Sequence, residues 1–313
     1  MTVGVPRSEP TTAAEPAGSG PPTGEGPGVA VVIVNYESGP ALLNCVEGLR
    51  GQVSGRPAVD ELVVVDNGST DGSVDEVRRR HPEVEVVTTG HNLGYGTAAN
   101  RGVAATSAPL VLVCNPDLEV RPGALPVLTA ALDAHPDWAL VGPLVRAPDG
   151  QRYPSARHFP SLVDAAGHAL LGIFAPDNRF TRSYQRAELA EAGPDPQVVD
   201  WVSGACFLVR RSAFEQVGGF DEAYFMYAED VDLCWRLGRA GWQAAYVPGA
   251  EVVHAQGVST ERHPYRMIFE HHRSLVRFAV RTSEGWRTAL LPLVVVGIGA
   301  RAALACLSRI TGG

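Results

Sequence analysis

Residues 29–36 read VAVVIVNY, six consecutive apolar residues followed by Asn35 and Tyr36. A short, β-branched run of this kind, bounded by turn residues, reads as a buried strand. Similar runs return as ELVVVD (61–66), VEVVTT (84–89) and LVLVCN (110–115), and helical spacing occupies 40–50, 74–80 and 95–105 between them. Strands alternating with short helices imply parallel βαβ units covered on both sheet faces. The expected fold is therefore α/β, a Rossmann-like, mostly parallel central sheet with flanking helices. Ligands of such sheets bind beyond the carboxyl ends of the strands. Those ends carry Asn35-Tyr36, Asp66-Asn67 and Asn115-Pro116-Asp117.

Toward the N-terminus the pattern stops. Residues 1–28 are rich in Pro, Gly, Ser, Thr and Glu, with Arg7 the sole cation and no apolar stretch. They are expected to be a disordered tail and not a signal peptide. Toward the C-terminus, residues 146–200 are rich in Pro, Arg and Asp and suggest an insertion or long loops over the site. WVSGACFLVRR (201–211) restores a strand, GGF (218–220) a turn, and EDVDLCWRLGRAGW a helix stopped at Gly241. AAYVPGAEVVHA (244–255) reads as two short strands. The main domain is set at 29–260, with a nucleotide-binding half (29–120) and an acceptor or catalytic half (121–260). A C-terminal segment (261–313) follows.

In that segment Tyr265, Ile268, Phe269, Leu275, Val276 and Ala279 keep a helical period, and Arg266, Arg273, Arg277 and Arg281 gather on another face. A 12-residue apolar run, 289–300, ends at Arg301. That is short of the about 20 residues a membrane span needs. A basic amphipathic helix before an apolar stretch suits an anionic membrane surface; a core-packed helix pair with solvated arginines is the alternative.

The chain has 313 residues and a formal net charge of -8. It lacks the basic footprint of a nucleic-acid binder. An acidic protein that binds an anionic substrate needs local cations or a metal. Five scattered cysteines with no CxxC argue against a disulfide framework or a zinc site and point to a reducing cytosol.

Five places carry candidate chemistry. Asp66 ends a strand at the ligand edge, where a carboxylate can accept from a base N–H or a ribose hydroxyl; Asn67-Gly68 makes the turn, and Ser73 with Glu76 fits a capping box. HNLGYGTAANRG (91–102) offers Gly94 and Gly96 for close backbone approach and a helix N-terminus for an anion. Asp117 follows an apolar strand and could hold a divalent cation that neutralises a diphosphate leaving group. His254 closes a strand and matters only beside a partner such as Asp117. A carboxylate–imidazole set suits Mn²⁺ better than Mg²⁺. Finally, MYAEDVDLCWR (226–236) places Glu229, Asp230 and Asp232 at a helix start behind Tyr224-Phe225-Met226-Tyr227. Helix-start acids are favourable through the macrodipole, yet the aromatic run suggests a partly apolar wall around a general base. Asp230 is the favoured base, Glu229 a second candidate, and Asp232 a helix residue facing solvent or an arginine.

Taken together, VVIVNY, VVVDNGSTD, HNLGYGTAANRG, CNPD, WVSGACFLVRRSAFEQVGGFDEAYFMYAEDVDLCWR and VVHAQGVST resemble the family 2 inverting glycosyltransferases of the GT-A fold, with the bacterial rhamnosyltransferases nearest. The likeness spans about residues 29–260. It implies that Asn35 and Tyr36 line the nucleotide, that Asp66 binds its base, and that Asn92, Gly94 and Asn100 shape the donor pocket. It implies that Asp117 matches the last acid of a DxD metal motif, with Asn115 in place of the first, so one carboxylate fewer is present. It assigns His254 to a second metal position and Asp230 to the base. The implied reaction moves L-rhamnose from dTDP-β-L-rhamnose to a lipid-linked saccharide, at the inner face of the cell membrane, with Mn²⁺ or Mg²⁺. Competing expectations are a different donor or acceptor, a non-catalytic sugar-nucleotide-binding subunit, and a nucleotidyltransferase. The last needs an early basic loop, and no Lys or Arg lies between Val29 and Asn44.

Overall fold

A computed structural model describes residues 28–50, 59–157, 159, 193–255 and 264–310. The expected tail, apart from its last residue 28, and most of the expected insertion lie outside them. The first half alternates as read: β1 (Val29–Asn35), α1 (Ala41–Arg50), β2 (Val59–Asp66), α2 (Ser73–Arg80), β3 (Glu85–Thr88), α3 (Tyr95–Ala104) and β4 (Leu110–Cys114). Every residue of β1 and β4 is buried, which is why these strands are continuous apolar runs without alternation.

Residues 118–146 add β5 (Leu118–Val120), α4 (Ala124–Ala134) and β6 (Trp138–Arg146), which the sequence reading does not name. β7 (Arg152–Tyr153), β8 (Ala156–Arg157), β9 (Gln197–Val199), β10 (Trp201–Val202), β11 (Cys206–Arg210), α5 (Arg211–Gln216), α6 (Glu229–Arg239) and β12 (Gln243–His254) complete the domain. β12 is one strand where two are expected. Its register against β6 shifts between Val247 and Glu251, so the Pro248-Gly249 pair marks a bulge and not a break.

The large sheet has the order β3-β2-β1-β4-β11-β6-β12-β5. β1, β2, β3 and β4 are parallel; β11 enters antiparallel between β4 and β6, and β12 runs parallel to β6. Thus β1–β4, β6 and β12 share one direction, and the parallel character expected of the sheet holds. One apolar layer joins α1, α2 and α4 to one face, including Leu42, Leu49, Val77, Leu125 and Leu132. The other joins α3, α5 and α6, including Ala98, Val103, Phe214, Phe220, Leu233 and Leu237.

Past residue 263 come α7 (Pro264–Thr282), a 3₁₀ turn (Gly285–Leu290) and α8 (Leu291–Ile310). Two corrections follow. First, α8 is 20 residues long. Arg301 lies inside it, since one arginine does not interrupt helical hydrogen bonding. The segment Gly285–Arg309 is long and apolar enough to cross a membrane, and none of it is buried. Second, the arginine face of α7 is not a free basic surface. Arg277 and Arg281 pair with Asp221, and Arg281 also reaches Asp232 at 3.2 Å. The buried residues of α7 are polar, namely Glu270, His272 and Ser274, while Tyr265, Phe269 and Val280 are exposed. The helix docks through these buried polar residues and turns Tyr265, Phe269 and Val280 outward, while Ile268, Leu275, Val276, Phe278 and Ala279 are half-buried.

Candidate active site

The carboxyl ends of β1 and β2 meet in register, Asn35 opposite Asp66. Asn35 is fully buried. Its amide donates to Ser69 and Ser73 hydroxyls at 3.1 Å each, and its carbonyl accepts from Ser38. Asp66 accepts from the Ser69 N–H at 3.0 Å through Oδ1, and its Oδ2 has no partner among the described residues. Tyr36 beside it is half-buried. The expected capping box is not formed. Gly72 caps α2 without a side-chain bond, Asp71 takes the Ser73 N–H and hydroxyl, and Glu76 instead pairs with Arg79 and Arg80. Asp71 also accepts from the Gly39 N–H; these hydrogen bonds outweigh the upward pull of desolvation and hold its carboxyl below the usual range.

Asn67 is buried and uses both ends of its amide on the glycine loop. It donates to Asn92 Oδ1 (3.1 Å) and to the Gly94 carbonyl (3.2 Å), and accepts from the Leu93 N–H (2.9 Å) and the Thr89 hydroxyl (3.2 Å). Asn92 also accepts from the Gly94 N–H at 2.9 Å. Gly94, with φ of 90°, opens α3. A side chain there would strike the Phe225 carbonyl, since a Cβ would lie 2.3 Å from it. That contact, with the Tyr95 N–H donating to Phe225 O at 3.1 Å, joins the glycine loop to the segment before Glu229. Asn100 faces elsewhere: its amide brackets the Phe220 backbone, donating at 2.9 Å and accepting at 2.9 Å, so it staples the 220–222 corner.

At the next strand end, Asp117 Oδ1 stands 3.1 Å from His254 Nε2. Asn115 Nδ2 is also 3.1 Å from that nitrogen. The Ala255 N–H donates to the Asp117 carbonyl, which locks the end of β12 to the turn after β4. Two ligands bound side by side to a divalent cation at about 2.1–2.2 Å stand roughly 3.0–3.1 Å apart. The pair therefore fits such an ion, with substrate oxygens and water needed to complete its shell. No third His, Cys, Asp or Glu joins them among the described residues.

The third component is the start of α6. Tyr227 and Ala228, with φ of 69° and 61°, are consecutive left-handed residues that are not glycine. Such backbone costs of order 1–3 kcal/mol per residue and persists only where surroundings hold it. It delivers three acids to three environments. Asp232 is wholly buried and ion-paired, accepting from Arg236 Nε at 2.7 Å and Tyr224 OH at 3.3 Å; of the two settings expected for it, the arginine is met and the solvent is not. Glu229 is buried, and its Oε2 has no hydrogen-bond partner among the described residues. Burial, then the charge of Asp230, pushes its carboxyl above the ordinary range.

Asp230 is only half-buried. It accepts from the Gly204 N–H (2.7 Å, Oδ2) and the Val231 N–H (2.8 Å, Oδ1). Desolvation raises its pKa, and these two bonds partly offset that. The Gly204 carbonyl in turn accepts from the Tyr95 hydroxyl at 2.6 Å. One residue, Gly204, thus links the helix behind the glycine loop to Asp230 through its N–H and its carbonyl, a link no sequence pattern indicates.

A nucleotide-type sheet edge, the Asp117–His254 pair and the helix-start carboxylate Asp230 stand on an α/β sheet of the GT-A type. The model of the Glycosyl transferase family 2 matches residues 30–218, and the chain belongs to that family. The chain is 44% identical to the N-acetylglucosaminyl-diphospho-decaprenol L-rhamnosyltransferase of Mycobacterium tuberculosis, over 83% of this chain and 87% of that one. It is 27% identical to the low-salt glycan biosynthesis hexosyltransferase Agl10 of Haloferax volcanii, over 75% and 69%. Among solved structures, the mannosyltransferase PcManGT from Pyrobaculum calidifontis, in complex with GDP-Man and Mn²⁺, shares the fold. Its TM-score is 0.57 at 21% identity, covering 93% of this chain and 77% of that one.

Proposed function

We propose that this enzyme transfers L-rhamnose, with inversion, from dTDP-β-L-rhamnose to a hydroxyl of a polyprenyl-diphosphate-linked saccharide. The 44% identical mycobacterial relative supports the sugar and the acceptor class. The observation that carries the chemistry is Gly204, whose N–H holds Asp230 and whose carbonyl holds Tyr95 at the start of the helix behind the glycine loop. A base held by the element that holds the donor keeps its distance from the anomeric carbon.

The chain's residues then divide the work. Asp66 presents its open oxygen to the nucleoside, and Tyr36 lines it. Asn35 and Asn67 keep the serine turn and the glycine loop in place. The N-terminus of α3 faces the diphosphate, where backbone dipoles favour an anion. Asp117 and His254 would hold a divalent cation, Mn²⁺ or Mg²⁺, which when bound neutralises charge on the leaving diphosphate. Asp230 takes the proton from the acceptor hydroxyl as that oxygen attacks opposite the leaving group. The two backbone N–H groups fix its carboxylate and leave lone pairs for the proton. Glu229, kept protonated in its buried site, adds no second negative charge beside it. One catalytic carboxylate is enough, whereas a glycosidase needs two.

The exposed apolar side of α7 and the unburied α8 support a seat on the cytoplasmic face of the membrane, where a lipid-linked acceptor resides. The decisive assay offers a panel of sugar nucleotides, with and without Mn²⁺, and polyprenyl-diphosphate-linked N-acetylglucosamine in vesicles. Transfer from dTDP-rhamnose above all others is expected; preferred transfer from another donor overturns the sugar assignment. Failure to co-sediment with vesicles overturns the membrane seat.

A further inference from the structure

Resting on the assignment of Asp230 as base, we propose that α7 is a positioning strap for that base, with Ser274 and Arg281 as its working contacts. The segment it grips is 221–232. Ser274, buried on α7, donates to the Met226 carbonyl at 2.9 Å. The Arg266 guanidinium lies 4.5 Å from the Phe225 ring centroid, and the His271 ring meets Tyr227 edge-on at 5.1 Å. Arg277 donates to Asp221 at 2.9 Å and covers the Tyr224 ring at 5.2 Å. Arg281 bridges Asp221 to Asp232 within α6 itself.

Each residue from Tyr224 to Tyr227 therefore touches α7, and so do Asp221 and Asp232 on either side. The opposite side of the segment is held by the Tyr95 N–H on the Phe225 carbonyl. Between these two grips stand the left-handed Tyr227 and Ala228, a conformation the local sequence does not favour. A strained turn relaxes when one of its two supports is removed, and Asp230 follows two residues later. The donor side keeps its own network through Asn67 and Asn92, so the strap acts on the base and not on donor binding.

The test uses the full chain in vesicles, with Ser274→Ala and Arg281→Gln, beside Arg281→Lys and Asp230→Asn. Donor affinity is read from dTDP binding, and kcat and the acceptor KM from transfer assays. The expected result for Ser274→Ala and Arg281→Gln is a kcat lowered 10- to 100-fold, dTDP affinity within twofold of wild type, and an unchanged melting temperature for Ser274→Ala. Arg281→Lys, which keeps the charge but not the two-way fork, should recover part of kcat. Wild-type kcat in both variants overturns the strap. So does a parallel loss of kcat, dTDP binding and melting temperature, which marks a merely structural role. If Asp230→Asn itself keeps wild-type turnover, the base assignment fails instead, and that result is read independently of α7.

Discussion

The two sides of the catalytic cleft are built on opposite terms. On the donor side, polar groups satisfy one another: Asn35, Ser38, Ser69 and Ser73 form one cluster, and Asn67, Thr89 and Asn92 another. On the proposed acceptor side two consecutive left-handed residues, Tyr227 and Ala228, precede the buried Glu229, whose Oε2 has no partner among the described residues, and the proposed base Asp230; the donor side has a single left-handed non-glycine, Glu37, and the unpartnered Nδ1 of His254. A buried polar network is rigid when complete and costly when partial. The proposed donor side is thus held mainly by its own hydrogen bonds, whereas the turn before Glu229 is held by contacts from outside it.

The largest break in this contrast comes from the paired acids. Asp230→Asn should lower turnover by about 10²–10⁴-fold, with dTDP affinity retained. Glu229→Gln, which fixes the neutral form that burial favours, should stay within about tenfold of wild type at neutral pH. Equal losses in steady-state assays of both variants would show that the two acids act as one unit. Next, His254→Ala or Asp117→Ala should weaken Mn²⁺ binding by at least about 10–100-fold, the scale seen when even the outer-shell partners of metal ligands are removed; titration of tryptophan fluorescence or calorimetry reads this. On the proposed donor side, Asn67→Ala strands the Leu93 N–H and leaves the Gly94 carbonyl with only its helical bond from Ala98, and should cost about 1–3 kcal/mol in urea unfolding.

Glu229 also gives a pH signature. Its folded pKa is raised, so the folded state holds a proton that the unfolded state releases above about 4.3. Stability from this group is present below that pH and is lost as pH rises through the raised folded value. Glu229→Gln should flatten that decline in a series of melts across pH. The smallest effect expected is a gain: Ala228→Gly removes the left-handed penalty and should stabilise by about 1 kcal/mol, against wild type in the same denaturant series.

Much of the donor side is legible in sequence because buried parallel strands are uninterrupted apolar runs, and their ends expose Asp66, Asn115 and Asp117. The Asp117–His254 pairing is expected only through the family resemblance, since 136 intervening positions and a bulged strand separate the two; the β5–β12 ladder and the Ala255 N–H on the Asp117 carbonyl bring them together. Asn35, Asn67 and Asn100 look alike in sequence, yet Asn35 and Asn67 serve turns at the ligand edge and Asn100 a corner away from it. Hydrophobic periodicity likewise finds α7 but cannot tell which side is inward. Ion pairs with Asp221 and Asp232 draw its polar face to the protein. Local pattern records that a face exists, and only tertiary charge decides where it points.

That inverted helix has a practical consequence for anyone preparing the protein. Apolar C-termini are routinely trimmed to improve yield. A chain ending just before Leu291 would shed α8 and still keep Ser274, Arg277 and Arg281. One ending before Pro264 would retain every strand of the ten-stranded sheet and the proposed nucleotide edge. It would also leave Asp232, fully buried, without its second arginine. A well-folded but sluggish preparation of that kind would be mistaken for the wrong substrate, when the fault lies in where the gene was cut.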